Sequence, residues 1–180
     1  MGDVERPLLE DLKRELTKAF VPLVEGCVIG ASIEMPPAAH NPSRKQYDAD
    51  IILDRVLHRI TGEHRVVALL DVDLYTSSRD LNFIFGQAQC PGRVALVSLR
   101  RLDPTFYGAA PDPELFLERA TKEAVHELGH TFGLGHCKYS NCVMCFSNSI
   151  LDVDKKKAAF CKGCRQKLYR QATFTIRVWR

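Results

Sequence analysis

Several features that would restrict the class of this protein are scarce or missing in its sequence. No run of about 18 apolar residues is present, so we expect no membrane-spanning helix and no membrane partner. The formal net charge is only +3, which gives no field strong enough to recruit nucleic acid. The first residues lack the apolar core of a signal peptide. We therefore expect a cytoplasmic protein without a nucleic-acid partner.

Internal repeats and low-complexity segments are also missing. The composition is that of an ordinary globular chain, with 46% hydrophobic and 26% charged residues. A chain of 180 residues is long enough to bury a core as one unit. We therefore expect a single domain over residues 1–180, in a protein that is a monomer.

Hydrophobic periodicity predicts an α/β fold with some α+β character, in which helices pack on a mixed sheet. Helical patterns cover residues 7–20, 50–60, 113–132 and 152–171, the third of them capped by Asp112. Strand patterns cover residues 26–33, 65–74, 81–87 and 93–102, and residues 173–180 predict a short strand or a loosely docked tail. We expect a twisted, mostly parallel sheet with residues 81–87 as an antiparallel edge strand, because this segment has short connections and a Gly86 suited to a bulge.

The cysteines are concentrated near the end of the chain. Five of the seven lie between residues 137 and 164, and they include two C-x-x-C pairs separated by fifteen residues. In a chain without an export signal, such clustering favours a metal site over disulfides. Spacing alone favours the two pairs, Cys142 with Cys145 and Cys161 with Cys164, and leaves Cys137 as an alternative ligand. Four thiolates would close a structural zinc site.

The segment "HELGHTFGLGH" contains a second candidate metal site. His126 and His130 are four residues apart on a predicted helix, so both imidazoles can reach one ion. Gly133 can end the helix in a left-handed conformation and allow His136 to return to the same ion. This pattern is that of the metzincin metalloproteases. Zinc lowers the pKa of a bound water to about 7, and Glu127 could act as the general base that takes its proton.

These residues together resemble the archaemetzincin family of zinc metalloproteases. The resemblance includes "HELGHTFGLGHC", "CKYSNCVM", "CKGC" and the upstream blocks "FIFGQA" and "VALVSLRRL". It implies a metzincin-like fold, with the sheet and active-site helix over residues 1–136 and a small zinc-bound subdomain with a C-terminal helix over residues 137–180. It implies two zinc ions per chain, with Met144 in a Met-turn beneath the catalytic one. For the structural zinc it nominates Cys137, Cys142, Cys161 and Cys164, leaving Cys145 unused.

The resemblance also implies that a peptide or protein substrate lies extended along the edge strand of the cleft. The predicted edge strand nominates Phe83, Ile84, Phe85 and Gly86 as substrate-binding residues, since free backbone groups there could pair with a peptide. Zinc-dependent peptide hydrolysis is the function that these residues indicate. The alternative is a zinc-stabilised peptide-binding module with little or no turnover.

Overall fold

The computed structural model of the protein describes residues 4–30, 32, 34–62, 64–170 and 174–180. The helices are α1 (Arg6–Phe20), α2 (Ala49–Leu57), α3 (Pro113–Thr131), α4 (Ile150–Lys155) and α5 (Lys162–Leu168). The strands are β1 (Val24–Ile29), β2 (His40–Asn41), β3 (Gln46–Asp48), β4 (Arg65–Leu70), β5 (Leu74–Tyr75), β6 (Gly86–Ala88), β7 (Val94–Ser98) and β8 (Phe174–Trp179). Short 3-10 helices cover Pro37–Ala39 and Pro104–Tyr107.

The main sheet has five strands in the order β1-β8-β4-β7-β6. All neighbouring pairs in it are parallel except β6 with β7, which is antiparallel and lies at the edge. The prediction of a mixed, mostly parallel sheet with an antiparallel edge strand is therefore confirmed. β4 and β7 are buried along nearly their whole length, as their continuous apolar runs indicate. A second, smaller sheet joins β2, β3 and β5.

The last strand of the chain lies in the middle of the main sheet. β8 pairs with β1 on one side and β4 on the other, and its Ile176 and Val178 are fully buried. The alternative of a loosely docked tail is therefore wrong, and this strand belongs with the sheet and not with the subdomain predicted over 137–180. Residue 173 of that prediction lies outside the described residues. So do residues 31 and 33 of the strand predicted over 26–33, and β1 ends at Ile29.

The edge strand is shorter than the predicted segment 81–87. It begins only at Gly86, and Ile84 forms an isolated antiparallel bridge with Leu74. The side chains of Arg44 and Gln46 donate hydrogen bonds to the Asn82 carbonyl at 2.9 and 3.0 Å. These bonds occupy the backbone ahead of β6, which is the physical reason that the ladder starts late.

The long helix α3 matches its prediction closely. The Asp112 side chain accepts a hydrogen bond from the Leu115 N–H at 3.0 Å, and Pro113 is the first helical residue. The helix ends at Thr131, two residues before Gly133, whose φ is +77°. It packs on β7, β6, β4 and α1, so most of its C-terminal half is buried. The sheet and this helix together define where the histidines lie.

The helix predicted over residues 152–171 is instead two short helices, α4 and α5, and residue 171 lies outside the described part. The connecting segment pairs with the loop that precedes α4. The Val143 N–H donates to the Ala159 carbonyl at 2.9 Å, and the Lys157 N–H donates to the Asn141 carbonyl at 3.2 Å. Because the Lys157 N–H and the Ala159 carbonyl bond across to this loop, they are not available to helical hydrogen bonds, and the helix breaks there.

Two apolar cores lie on opposite faces of the main sheet. Val67 and Leu69 of β4 belong to the larger core with α1 and α3, while Val66 and Ala68 belong to the smaller core with α2. This alternation is what a strand covered on both faces requires. Among the described residues, no helix is both long and apolar enough to cross a membrane.

Candidate metal centre and substrate cleft

His126 and His130 lie one turn apart near the end of α3, and their Nε2 atoms are 3.0 Å apart. The Nδ1 of His126 contacts the Val143 carbonyl at 2.8 Å, and the Nδ1 of His130 contacts the Leu134 carbonyl at 2.7 Å. Because a carbonyl can only accept, each Nδ1 carries the proton and donates it. Each Nε2 therefore keeps its lone pair for a metal ion, with the ring orientation fixed by the backbone.

The glycine turn after α3 brings the third histidine to this pair. Gly133 adopts the left-handed conformation that ends the helix, and the chain then returns through Leu134. The ligand nitrogens of His126, His130 and His136 lie within 4.8 Å of one another. Nitrogens this close can surround one zinc ion at bond lengths of about 2.0–2.1 Å. The donor set therefore fits the predicted ion.

The surroundings of the three histidines favour their neutral, metal-binding form. Burial, together with the charge of Lys156, lowers the pKa of His126 well below its ordinary value. Burial also lowers the pKa of His130 to about 4 and lowers the pKa of His136. Since a metal binds the neutral imidazole, these side chains need not lose a proton near neutral pH.

Glu127 is buried beside the edge strand, next to the histidines. A Cβ added to Gly86 would lie 2.6 Å from the Glu127 Cγ and 2.7 Å from its Oε1, so only glycine leaves room for the carboxylate. Burial, followed by the charge of Glu123, raises the pKa of Glu127 to about 8. A nearby cation would favour the ionised carboxylate. Glu127 is therefore able to accept and return a proton near neutral pH when a cation is close.

Met144 lies beneath the histidine-bearing helix and is fully buried. A Cβ on Gly129 would lie 2.4 Å from the Met144 sulfur, so the thioether packs directly against the helix backbone next to His130. Met144 also accepts a backbone hydrogen bond from the Cys137 N–H at 2.8 Å. This side chain therefore supports the histidine site from below through apolar packing.

Four cysteines converge on the other side of the Met144 loop. The sulfurs of Cys137, Cys142, Cys161 and Cys164 lie within 4.8 Å of one another, and within the described part of the chain Cys145 does not join them. A hydrogen bond from the Cys164 backbone lowers the pKa of Cys161 to about 7, while burial raises the pKa values of Cys142 and Cys164. Four sulfurs this close fit a closed zinc site with bonds of about 2.3 Å. The geometry thus favours Cys137 over Cys145.

The histidines open onto a cleft of about 340 Å³. Phe83, Ile84, Phe85 and Gly86 all line it, but Ile84 and Phe85 bury their side chains in the two cores. The structure therefore brings the predicted substrate-binding segment to the cleft, where the backbone and not these two side chains is available to a ligand. The cleft wall also includes Arg79, which the sequence did not indicate.

Two further acidic groups near the cleft were missed by the sequence analysis. Glu123 lies one turn before Glu127 on α3, and its Oε1 is 2.7 Å from the buried ammonium of Lys156. Asp50, at the start of α2, accepts a hydrogen bond from the Gln87 side chain of β6 at 2.5 Å. Both interactions join residues that are far apart in the sequence, so no local spacing indicates them. A run of three lysines such as 155–157 is usually a solvated helix face, but Lys156 is buried.

Such a site, on a helix packed against a mixed sheet, is that of a zinc-dependent metallopeptidase, and this is the class of protein that fold and site define. A model of peptidase family M54 matches residues 26–170. An archaemetzincin of Methanopyrus kandleri is 51% identical over 138 residues, which cover 76% of this chain and 74% of that protein. The chain therefore belongs to peptidase family M54, the archaemetzincins.

Solved structures of the family agree with this fold. The crystal structure of the Methanopyrus kandleri archaemetzincin superposes with a TM-score of 0.81 and 43% sequence identity, covering 94% of this chain and 89% of that chain. The archaemetzincin of Archaeoglobus fulgidus, crystallised in complex with malonate, gives a TM-score of 0.75 and 38% identity, covering 91% of this chain and 94% of that chain. The prediction of an archaemetzincin-like zinc peptidase is confirmed.

Proposed function

We propose that the protein hydrolyses peptide bonds at a zinc ion held by His126, His130 and His136, with Glu127 as the general base. The observation that carries this proposal is the convergence of three ligand nitrogens within 4.8 Å beside a buried carboxylate. Three protein ligands leave a fourth tetrahedral position for water, as in catalytic zinc sites. When bound, the zinc would acidify this water and polarise the scissile carbonyl.

Residues of the chain provide the proton transfer, the orientation of the histidines and the space for the Glu127 carboxylate. Glu127 takes the proton of the attacking water, and later returns it to the nitrogen of the leaving amine. Val143 and Leu134 hold His126 and His130 through their carbonyl groups, so the rings need not reorganise during the reaction. Gly86 leaves the space in which the Glu127 carboxylate lies.

We infer a second, structural zinc at Cys137, Cys142, Cys161 and Cys164. A full set of thiolates leaves no open position for water, so this ion would have no catalytic role. It would instead tie the loop that carries Met144 to α5. This loop also supplies the Val143 carbonyl that orients His126, which connects the structural site to the catalytic one.

We propose further that a peptide substrate adds itself to the free edge of β6. The Ser98 N–H donates to the Phe85 carbonyl at 2.8 Å, and the Gln89 N–H donates to the Val94 carbonyl at 3.0 Å. Because antiparallel hydrogen bonding alternates along a strand, the N–H groups of Gly86 and Ala88 point away from β7. Both residues line the cleft, so these groups could pair with an extended peptide.

The decisive experiment compares the wild-type protein with Glu127→Gln in a fluorogenic peptide assay, with and without a zinc chelator. We expect the variant to keep both zinc ions and to lose about 10²–10⁴-fold in kcat, which is the usual contribution of a general base. Zinc content is measured by mass spectrometry on the same samples. Undiminished hydrolysis by the variant would remove Glu127 from this role. Peptide binding by zinc-loaded wild type without any hydrolysis would favour the alternative of a binding module.

A further inference from the structure

Arg79 is the one cationic side chain among the described residues that line the cleft. Its side chain is exposed and has no hydrogen bond or ion pair with another described residue, while its backbone carbonyl accepts a hydrogen bond from the Leu81 N–H. The acidic side chains among the described lining residues are Glu123 and Glu127. Glu123 is already paired with Lys156, and Glu127 belongs to the proposed catalytic machinery. A cation therefore faces the cleft with its hydrogen-bond donors available to a ligand.

The loop that carries Arg79 is held in place by Asp50. This carboxylate accepts hydrogen bonds from the Thr76 hydroxyl at 2.8 Å, the Ser77 N–H at 3.0 Å and the Ser78 N–H at 3.2 Å. The same carboxylate binds the Gln87 side chain of β6. One half-buried carboxylate thus binds both the loop and the edge strand. Arg79 is therefore displayed from an ordered loop at a set distance from the strand along which a substrate would lie.

Arg79 shares its cleft with the histidine site. The same cavity of about 340 Å³ is lined by Arg79 and by His126, His130 and His136. A substrate bound at the histidines therefore lies in the cavity that the Arg79 side chain also lines.

We propose that Arg79 determines specificity by binding a carboxylate of the peptide substrate. The guanidinium presents several N–H donors in a planar fork that matches a carboxylate, and no other cation of the described lining competes with it. The proposal rests on the proposed peptidase function and adds the substrate class, namely peptides with an acidic side chain or a free C-terminus near the scissile bond. Arg79 contacts the substrate and has no part in proton transfer.

The test measures discrimination between matched peptides. One set of blocked hexapeptides carries Glu or Gln at each position in turn, and a second pair differs only in a free or amidated C-terminus. The proteins are wild type, Arg79→Gln and the control Arg59→Gln, which removes another exposed arginine charge that does not line the cleft. Because each ratio compares two peptides on one protein, any general effect of the variant on the metal site cancels.

We expect wild type and Arg59→Gln to prefer the carboxylate of one pair by about tenfold in kcat/KM, mainly through KM, as for a charged hydrogen bond. In Arg79→Gln this ratio should fall to near one. The pair that responds tells whether the carboxylate is a side chain or the C-terminus. If wild type shows no preference, or Arg79→Gln keeps it, the assignment is wrong while the peptidase function stands.

A binding measurement keeps the proposal testable if no peptide is cleaved. Fluorescence anisotropy on zinc-loaded Glu127→Gln gives the dissociation constants of the same pairs, with and without Arg79→Gln. A preference that depends on Arg79 would support its role even if the proposed turnover failed. Equal affinities for both members of every pair would overturn it.

Discussion

At the residue scale, Lys156 differs from its two neighbours in the run of three lysines. Its side chain is almost fully buried and pairs with Glu123, whereas Lys157 is exposed. Replacing it by Lys156→Met leaves the charge of Glu123 buried without a partner. We expect this to lower the free energy of unfolding by about 3–5 kcal/mol, measured by denaturant titration.

Lys157→Met is the matched control, and we expect it to change the stability by less than about 0.5 kcal/mol, as for an exposed position. The double variant Glu123→Leu/Lys156→Met should recover most of the loss, because neither charge is then left alone. Equal effects of Lys156→Met and Lys157→Met would contradict the buried ion pair.

Gly129 offers a second prediction at this scale, because the Met144 sulfur packs against its Cα. Alanine normally favours a helix over glycine by about 1 kcal/mol. Here the added Cβ would meet the sulfur at 2.4 Å, so Gly129→Ala should instead destabilise the protein by about 1–3 kcal/mol, measured by denaturant titration. It should also weaken zinc binding beside His130.

Gly163→Ala is the control for this change. Gly163 lies within α5, and nothing is within 4 Å of a Cβ added there. Alanine should therefore stabilise the protein at this position. If both substitutions were stabilising, the packing of Met144 under α3 would be wrong.

At the element scale, the edge strand β6 carries the prediction for substrate binding. Ala88→Pro removes a backbone N–H that points to the cleft. It leaves the hydrogen bonds between β6 and β7 in place, because this N–H does not take part in them. Loss of one backbone hydrogen bond to the substrate should raise KM by about three- to tenfold with little change in kcat. Steady-state kinetics on a fluorogenic peptide measures this.

Ala88→Gly keeps the N–H at this position and should leave KM close to that of wild type. An unchanged KM in Ala88→Pro would mean that the substrate does not pair with β6 at this residue. A matching rise in both variants would point to a change in the strand itself and would also contradict the pairing.

The elements differ in how far the sequence predicts them. The helix α3 is predicted with its cap and its end, because Asp112, Pro113 and Gly133 act on the local backbone. The central place of β8 is not predicted, because it depends on pairing with β1 and β4, which are more than 100 residues away in the chain. The break between α4 and α5 likewise follows from hydrogen bonds to the 141–143 loop and not from the local composition.

At the scale of the whole molecule, local sequence spacing predicts the metal site but not its surroundings. His126, Glu127, His130 and His136 fall within eleven consecutive residues, so helix geometry and one glycine turn are enough to bring them together. The anchor at Asp50, the arginine at 79 and the ion pair of Lys156 come from separate elements that only the fold brings to the cleft. Sequence spacing therefore predicts the metal ligands, whereas the residues that form the walls of the cleft are identified only from the structure.

The two proposed zinc sites are connected through one loop. Cys137 and Cys142 belong to the structural site, while Val143 and Met144 contact the histidine-bearing helix. Loss of the structural ion would release this loop and with it the carbonyl that orients His126. The two proposed metals would therefore support the cleft together.

Anomalous scattering at the zinc absorption edge, from crystals of the purified protein, tests the central claim most directly. We expect two peaks per chain. One should be bonded to His126, His130, His136 and a solvent oxygen, and the other to the sulfurs of Cys137, Cys142, Cys161 and Cys164. No peak at the histidines, or a fourth protein ligand in place of the solvent, would contradict it.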